Sequence, residues 1–243
     1  MKLLYGLLII PVLVAADLPS ADSILRQSFD RSGGAAAYAK ANNAVMTGTV
    51  EMVGHNLSGP VTIYQADNRS YTSIDLPGIG KIEEGYDGHT AWEMNALQGA
   101  RIKDGEEKAL MERTASISPL MNWRTYYTSA KTLGAEDVDG KPAWKIEMTP
   151  KLGKPETFYF DKGTMLLVRT TATITTPLGD IPVDASMSDY RVVDGIQTPF
   201  EMTQKAMSQT LVMKFSKVQY NANIPASVFD LPPAVKALAD RKK

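Results

Sequence analysis

Cysteine is absent from this chain of 243 residues, and its absence excludes several kinds of chemistry. No disulfide can cross-link the fold, and no thiolate can serve as a nucleophile or a metal ligand. No cysteine is available to carry a lipid after processing of the N-terminus. A domain of this length can be stable through its apolar core alone. We therefore expect a chain that is neither disulfide-bonded nor lipidated.

Histidine is nearly absent as well, and no catalytic constellation replaces it. His55 and His89 are the two histidines, and both fall at or beside turn signals, where histidine is more often solvated than catalytic. No spacing of histidines and carboxylates suits a metal, and no serine lies in a nucleophile-elbow pattern. Gly78-Ile79-Gly80 lacks the third glycine of a nucleotide loop. We predict no catalytic residues, no metal and no cofactor, so the protein is expected not to be an enzyme.

An excess of basic charge is also missing. The 26 lysines and arginines are balanced by 27 aspartates and glutamates, which gives a net charge of −1. Removing residues 1–16 would remove Lys2 and no acid, leaving 25 − 27 = −2. A chain of this charge has no basic surface to hold phosphate backbones. We expect no nucleic-acid partner.

One long apolar run is present, at the N-terminus. Leu3 to Val14 is almost wholly apolar, follows the basic Met1-Lys2, and precedes Ala15-Ala16. This pattern is typical of a secretory signal peptide cleaved after a small residue, and the run is shorter than the ~20 residues that span a bilayer. We predict a signal peptide at 1–16 and one soluble exported domain at 17–243, periplasmic in a cell with two membranes.

From Ala44 onward, apolar residues recur with a period of two, as in Met46, Gly48, Val50 and Met52. This alternation is typical of β-strands, and turn pairs such as Asp139-Gly140 separate the runs. Without crossover helices between them, the strands are expected to form an antiparallel meander in a barrel or large curved sheet. The predicted strands lie at 44–53, 58–66, 70–76, 79–86, after 90, and at 125–134, 143–149, 157–160, 166–175, 181–192, 196–205 and 209–218.

Two segments have helical patterns. Ser20 is a plausible N-cap for a helix with Ile24, Leu25 and Phe29 at helical spacing. Residues 104–124 form an insertion between two groups of strands, with acidic residues in its first turn. An amphipathic segment in this position is expected to pack across an open sheet face like a lid.

The hairpin signal at Asp87-Gly88 is followed by Trp92 and Met94, which share one face of a strand. Methionine is also frequent in the predicted strands, and its flexible thioether side chain adapts to irregular partners. Each such residue taken singly is more readily explained as ordinary core, whereas together they suggest an apolar ligand cavity. The expected cavity residues are Tyr64, Trp92, Met94, Trp144, Met148, Met187, Met202 and Met213 on the concave face, with Met111, Met121 and Trp123 on the lid. A strand register shifted by one residue would exchange its two faces.

Several motifs carry a family resemblance that spans most of residues 20–235. Tyr86-Asp87-Gly88-His89-Thr90-Ala91-Trp92 resembles a hairpin of the LolA-like outer-membrane lipoprotein-sorting proteins, and the stretches at 158–169 and 189–199 look like patterns of that superfamily. Phe229-Asp230-Leu231-Pro232-Pro233 resembles its C-terminal end. The resemblance implies an α+β fold, mainly antiparallel: an unclosed half β-barrel of about 11 strands, with an N-terminal helix and the helical insertion over its concave face.

The resemblance also implies a function. LolA-like proteins carry lipoprotein acyl chains or lipids through the periplasm without covalent chemistry, and such a carrier is expected to be a monomer that docks transiently on membrane-bound donor and acceptor proteins. An alternative is a periplasmic sensor or regulatory module that binds a protein partner, which predicts an exposed apolar patch and a closed interior. A small-molecule enzyme on the same scaffold would need polar groups converging inside the cavity.

Overall fold

The computed structural model describes residues 18–66, 68–118, 120–177 and 179–241. The predicted signal peptide at 1–16 lies outside the described residues, so its cleavage stays a prediction. No helix in the described part of the chain is long and apolar enough to cross a membrane.

Thirteen strands within the described residues form one antiparallel sheet. Their bounds are β1 Asn43–Met52, β2 Leu57–Ala66, β3 Arg69–Leu76, β4 Gly80–Tyr86, β5 Ala91–Asn95, β6 Gly99–Lys103, β7 Tyr127–Val138, β8 Lys141–Pro150, β9 Glu156–Asp161, β10 Leu167–Thr176, β11 Gly179–Val193, β12 Ile196–Ala206 and β13 Gln209–Tyr220.

The sheet order places the first and last strands side by side in the middle. It runs β6-β5-β4-β3-β2-β1-β13-β12-β11-β10-β9-β8-β7, so β6 and β7 are the two edges. We call β1–β6 the first wing and β7–β13 the second wing. The mainly antiparallel half-barrel expected from the sequence is confirmed, with thirteen strands instead of about eleven. The strand missing from the prediction is β6, a five-residue segment whose Arg101 and Lys103 obscure any apolar alternation.

The helices are α1 Ala21–Arg31, α2 Gly34–Tyr38, α3 Gly105–Ala115 and α4 Pro233–Arg241, and single 3₁₀ turns lie at Trp123–Thr125 and Ala226–Phe229. Ser20 caps α1 as predicted, because its Oγ accepts a hydrogen bond of 3.2 Å from the Ser23 amide. Ile24 and Leu25 of α1 are buried against the second wing, in a core that includes Ile146, Met148, Phe158 and Phe160.

The connection from β6 to β7 has to travel from one edge of the sheet to the other. It contains α3, which contacts β3, β4 and β5 in the first wing and β10 in the second. The helical insertion therefore lies across the concave side of the curved sheet, as the sequence predicts. We call α3 the strap helix.

The strand registers define which side chains share a face with the strap helix. Glu156 on β9 pairs with α3, and Phe158 has the same orientation two residues later. Through directly opposed partners, this face continues from Phe158 across β10–β13 to Met52 and then to Leu57 on β2. We call this face, which α1 and α3 cover, the inner face, and the opposite one the outer face.

Candidate functional site

A row of apolar side chains crosses the middle of the inner face. Met187 on β11 lies directly opposite Met202 on β12, Met202 lies opposite Met213 on β13, and Met213 lies opposite Val50 on β1. Directly opposed residues of antiparallel strands share a face and have neighbouring side chains. The three methionines are half-buried and Val50 is fully buried. We call Met187, Met202, Met213 and Val50 the methionine row.

Other apolar side chains extend this surface over the first wing. Their positions alternate along β1–β4, and they pack against the same core as Met202 and Met213. This set comprises Met46, Leu57, Ile63, Ile74 and Ile82. These residues were not among the predicted cavity residues, although the alternation of Leu57, Val61 and Ile63 on β2 was a signal that could have identified them.

The strap helix is attached to the first wing by polar contacts. Arg101 on β6 donates from Nε to Glu93 at 2.6 Å, and its two terminal nitrogens donate to Glu107 of α3 at 2.7 and 2.6 Å. Near the other end of α3, the Gln65 side-chain amide donates to the Thr114 carbonyl at 2.8 Å. A bidentate arginine–carboxylate pair is a strong and directional contact. The Arg101–Glu107 pair therefore defines the position of the N-terminal end of the strap helix.

A buried polar cluster attaches the strap helix to the second wing. Arg113 of α3 pairs with Glu156 on β9, and the Tyr127 hydroxyl donates to the second Glu156 oxygen at 2.7 Å. Burial and the neighbouring Glu156 carboxylate both raise the pKa of Tyr127, so its hydroxyl remains a donor. The Arg113 Nε is buried and has no hydrogen-bond partner among the described residues. Nothing in the sequence pattern singled out Arg113 or Glu156, because their pairing joins residues 43 positions apart.

Two clefts open beside the segment that follows the strap helix. One, of about 490 Å³, lies between α1 and residues 120–125, and the other, of about 440 Å³, lies between residues 38–42 and residues 116–126. Met121 lines both clefts and is 46% exposed. Trp123 lines the first cleft, but its ring is mostly buried in the core beneath α1.

Three other predicted cavity residues also lie on or against the inner face. Trp144 is half-buried at the margin of the core under α1, with the Lys162 ammonium 3.8 Å from its ring centre. Met148 is fully buried in that core, and Met111 of the strap helix packs with Tyr86 and Ala91. Met148 is therefore a core residue that packs beneath α1, because its side chain has no exposed surface that could contact a ligand.

The prediction that Tyr64, Trp92 and Met94 face the concave side is wrong. Glu93 points toward the strap helix, so its neighbours Trp92 and Met94 point to the outer face. Tyr64 shares that outer face, since its ring centre lies 6.1 Å from that of Tyr71, which in turn lies 6.1 Å from that of Trp92.

Trp92 is buried in a part of the sheet that the C-terminal segment contacts, with α4 on β6 and the 3₁₀ turn Ala226–Phe229 on β3. Its indole covers Gly85, the residue directly opposite on β4, and a Cβ at Gly85 would lie 2.7 Å from two indole carbons. The predicted hairpin before Trp92 is present, because the Asp87 carboxylate accepts hydrogen bonds from the His89 and Thr90 amides at 2.8 and 2.6 Å. The Trp92 side chain thus fills the space that Gly85 leaves open. In the sequence, a large aromatic residue of this kind is easily mistaken for part of a cavity wall.

Among the residues that the structure describes, no three His, Asp or Glu side chains come together in a group that could hold a metal ion. Two charged residues on the inner face pair instead with the strap helix, Arg101 with Glu107 and Glu156 with Arg113. The inner face can thus offer a ligand an apolar surface, which is covered by a helix that polar contacts hold to both wings.

Neither a family model nor a curated protein matches this chain. Solved structures do match it. A DUF1329 family protein from Desulfovibrio piger superposes with a TM-score of 0.58 at 15% identity, over 86% of this chain and 97% of that chain. A LolA superfamily protein from Nitrosomonas europaea gives a TM-score of 0.57 at 12% identity, over 88% and 99% of the two chains. The fold is LolA-like.

A third solved structure agrees with this LolA-like fold. It is a putative outer membrane lipoprotein-sorting protein domain from Vibrio parahaemolyticus, with a TM-score of 0.51 at 12% identity over 86% of this chain and 97% of that chain. The resemblance seen in the sequence motifs is therefore confirmed for the fold.

Proposed function

We propose that this protein is a periplasmic carrier of lipids or lipoprotein acyl chains, which it holds non-covalently on the inner face of its LolA-like half-barrel. The observation that carries the proposal is the methionine row: an apolar, half-buried surface on the inner face of a sheet that the strap helix crosses. The similarity to an outer membrane lipoprotein-sorting domain supports the choice of cargo class.

The energetics of this surface suit reversible carriage. Burying one methylene is worth ~0.8 kcal/mol, so ten methylenes of an acyl chain contribute roughly 8 kcal/mol. Methionine side chains can repack around chains of different shape, because they are unbranched and flexible. In this proposal Met187, Met202 and Met213 form the floor of the site, and Met111, Met121 and Trp123 belong to the covering helical segment. No covalent step or cofactor is involved.

Mass spectrometry of an organic extract of the purified protein tests the proposal directly. We expect co-purifying lipid, or stoichiometric uptake of added fatty acid or phospholipid by protein from which lipid has been removed. A preparation with no bound lipid and no uptake of either would contradict carriage.

A matched pair of double variants locates the site. Met202→Gln with Met213→Gln places two amides in the methionine row, and we expect bound lipid to fall about tenfold or more, since polar groups there lose their water without a partner. Thr203→Gln with Val212→Gln changes the adjacent pair of directly opposed residues on the same strands, which point to the outer face. The control should retain its lipid. Equal loss in both variants would argue against an inner-face site.

A further inference from the structure

Among the described residues, four of the eight large apolar side chains that are exposed lie at one rim of the half-barrel. Following strand directions in the antiparallel sheet, the β1–β2, β5–β6, β8–β9 and β12–β13 turns all lie at the same end. Each presents one such side chain: Val53 (46% exposed), Leu97 (84%), Leu152 (51%) and Met207 (76%). We call this end, defined by these four residues, the apolar rim.

The turns at the opposite end have a different chemistry. The β4–β5, β7–β8 and β11–β12 turns carry Asp87, Asp139 and Asp194, the β9–β10 turn at the same end carries Lys162, and we call this end the polar rim. Polar turn residues are the ordinary case, because their side chains hydrogen-bond to the turn backbone and to water. Four exposed apolar turns at one end and polar turns at the other are therefore a feature that needs an explanation.

We propose that the apolar rim is a membrane-docking surface whose turn side chains insert among the headgroups of a bilayer. Val53 and Met207 lie on neighbouring hairpins, since the Val53 amide donates to the Thr210 carbonyl, whereas Leu97 and Leu152 lie on hairpins toward the two opposite edges of the sheet. Apolar side chains spread along a whole rim suit a planar lipid interface better than one compact protein patch. Each can still enter a fluid lipid interface separately, where buried apolar area provides the binding free energy.

The charges of the turns favour the same orientation. The described turn residues of the apolar rim contain no carboxylate. Lys151 and Lys154 flank Leu152, but Lys154 is paired with Asp180, and the Glu106 carboxylate of α3 lies beside Gly153. An anionic bilayer would repel the aspartates of the polar rim and attract Lys151. Bilayer docking therefore matches both the apolar turns and the sign of the charge.

For Val50, Met202 and Met213 of the methionine row, the apolar rim is the nearer end of the strand. On β12 and β13, Met202 and Met213 lie four residues from the strand ends that flank Met207. Docking at this rim would bring the inner face close to the membrane. The inference concerns membrane contact alone, and it does not require that the inner face holds lipid.

Flotation with vesicles tests the docking surface. The probes are vesicles of phosphatidylethanolamine with phosphatidylglycerol, and every protein is made from the full-length chain, so that whatever precedes residue 18 is common to all. Leu97→Ser with Met207→Ser removes the two most exposed apolar turn residues, and we expect vesicle binding to fall about tenfold. Leu133→Ser with Val192→Ser removes two exposed apolar residues away from the rim, and binding should change less than about twofold.

Three outcomes would overturn the proposal. These are native protein that fails to float with the vesicles, a rim variant that binds as well as the native chain, and a control variant that loses as much binding as the rim variant. Thermal unfolding of each variant shows whether it is folded. Because the four substituted side chains are exposed, we expect the unfolding midpoints of both double variants to equal that of the native protein.

The absence of cysteine makes a second test possible. A single dye-labelled cysteine is placed at Leu97 or Met207, and at the exposed His89 on the polar rim as the matched control. On addition of the same vesicles, the dye at positions 97 and 207 should shift to shorter emission wavelength and be quenched by spin-labelled lipid, whereas the dye at position 89 should not respond. Equal responses at both rims, or none at the apolar rim, would contradict docking through the apolar rim.

Discussion

Arg113 of the strap helix and Glu156 of β9 form an ion pair in which both side chains are about nine-tenths buried. The pair joins the connection between the two sheet edges to the second wing, while Arg101 holds the same helix to the first wing. The helix that covers the inner face is therefore fixed at two places by charged groups, and Met111 between them packs against Tyr86 and Ala91.

Removing one partner of the buried pair should be strongly destabilising. In Arg113→Met or Glu156→Leu, the remaining charge stays buried without its partner, and we expect the free energy of unfolding to fall by about 3–5 kcal/mol. Urea denaturation followed by circular dichroism measures this. The double variant should recover part of the loss, because it leaves no isolated charge in the interior.

The exposed pair formed by Arg124 and Asp22 is the matched control for that experiment. Its side chains are 68% and 50% exposed, so Arg124→Met or Asp22→Leu should cost less than about 1 kcal/mol. Similar losses at the two pairs would show that burial does not set the cost of breaking the Arg113–Glu156 contact.

Stability should depend on the ionisation of Glu93. Burial raises the pKa of this carboxyl, but the hydrogen bond from Arg101 and the charges of Lys103 and Arg101 outweigh burial, so the pKa lies below its ordinary value of 4.5. The ionised carboxylate therefore stabilises the fold above the unfolded-state pKa, and this stabilisation is lost as pH falls through the lower folded-state pKa. We expect Glu93→Gln to be less stable at neutral pH and to show a flatter decline in unfolding free energy below about pH 5.

Urea unfolding at a series of pH values measures the effect of Glu93. Arg101→Met is the companion variant, since it removes the main hydrogen bond that keeps the carboxyl ionised. It should also weaken the acid dependence. An unchanged pH dependence in Glu93→Gln would mean that other carboxyls dominate the acid response.

A methyl group at Gly85 should collide with Trp92. The added Cβ would lie 2.7 Å from indole carbons, and overpacking of this kind costs roughly 1–3 kcal/mol. Trp92→Leu destabilises by itself, but in the double variant the cost of Gly85→Ala should largely disappear. Gly163→Ala is the control, because its Cβ would approach nothing closer than 3.4 Å.

Because Trp92 lies on the outer face, these substitutions should leave the amount of lipid per folded molecule unchanged. Denaturation curves and lipid extraction from the same preparations give both readouts. Loss of lipid without loss of stability would restore Trp92 as a residue of the binding site.

Processing at the N-terminus is a separate prediction, since residues 1–16 lie outside the described part of the chain. N-terminal sequencing of the protein from a periplasmic fraction should begin at Asp17. Ala16→Lys should block cleavage because a signal peptidase site needs a small residue there. Ala15→Lys, at the more permissive position before it, should be cleaved, and cleavage of both variants would contradict the site.

The strands and helices that could be predicted from the sequence are those that depend on interactions between residues close together in the chain. Twelve of the thirteen strands follow from two-residue alternation between turn pairs such as Asp139-Gly140. The strap helix follows from its position and its acidic first turn. The exception is β6, where short length and charged residues hide the pattern. Arg101 on β6 is explained by its two partners in the tertiary structure, Glu93 directly opposite on β5 and Glu107 on α3.

The inward-facing side of each strand could not be derived in the same way. Alternation shows that Trp92 and Met94 share a face, but the two faces of a strand are equivalent until something packs on one of them. Here Glu93, a charged residue, points inward because Arg101 and Lys103 on β6 compensate its charge, and the large aromatic Trp92 points outward over a glycine. For that reason, the size of the side chains on β5 does not indicate which face of the strand points inward.

By itself, therefore, the sequence determined an antiparallel β-meander with a helical insertion, because periodicity, turn chemistry and capping act over a few residues. The tertiary structure alone decided that β6 and β7 form opposite edges and that the strap helix must cross between them. It also decided that Met187, Met202 and Met213 align as one row and that four apolar turns share a rim. These relationships depend on strand order and register, which arise from contacts between residues far apart in the chain.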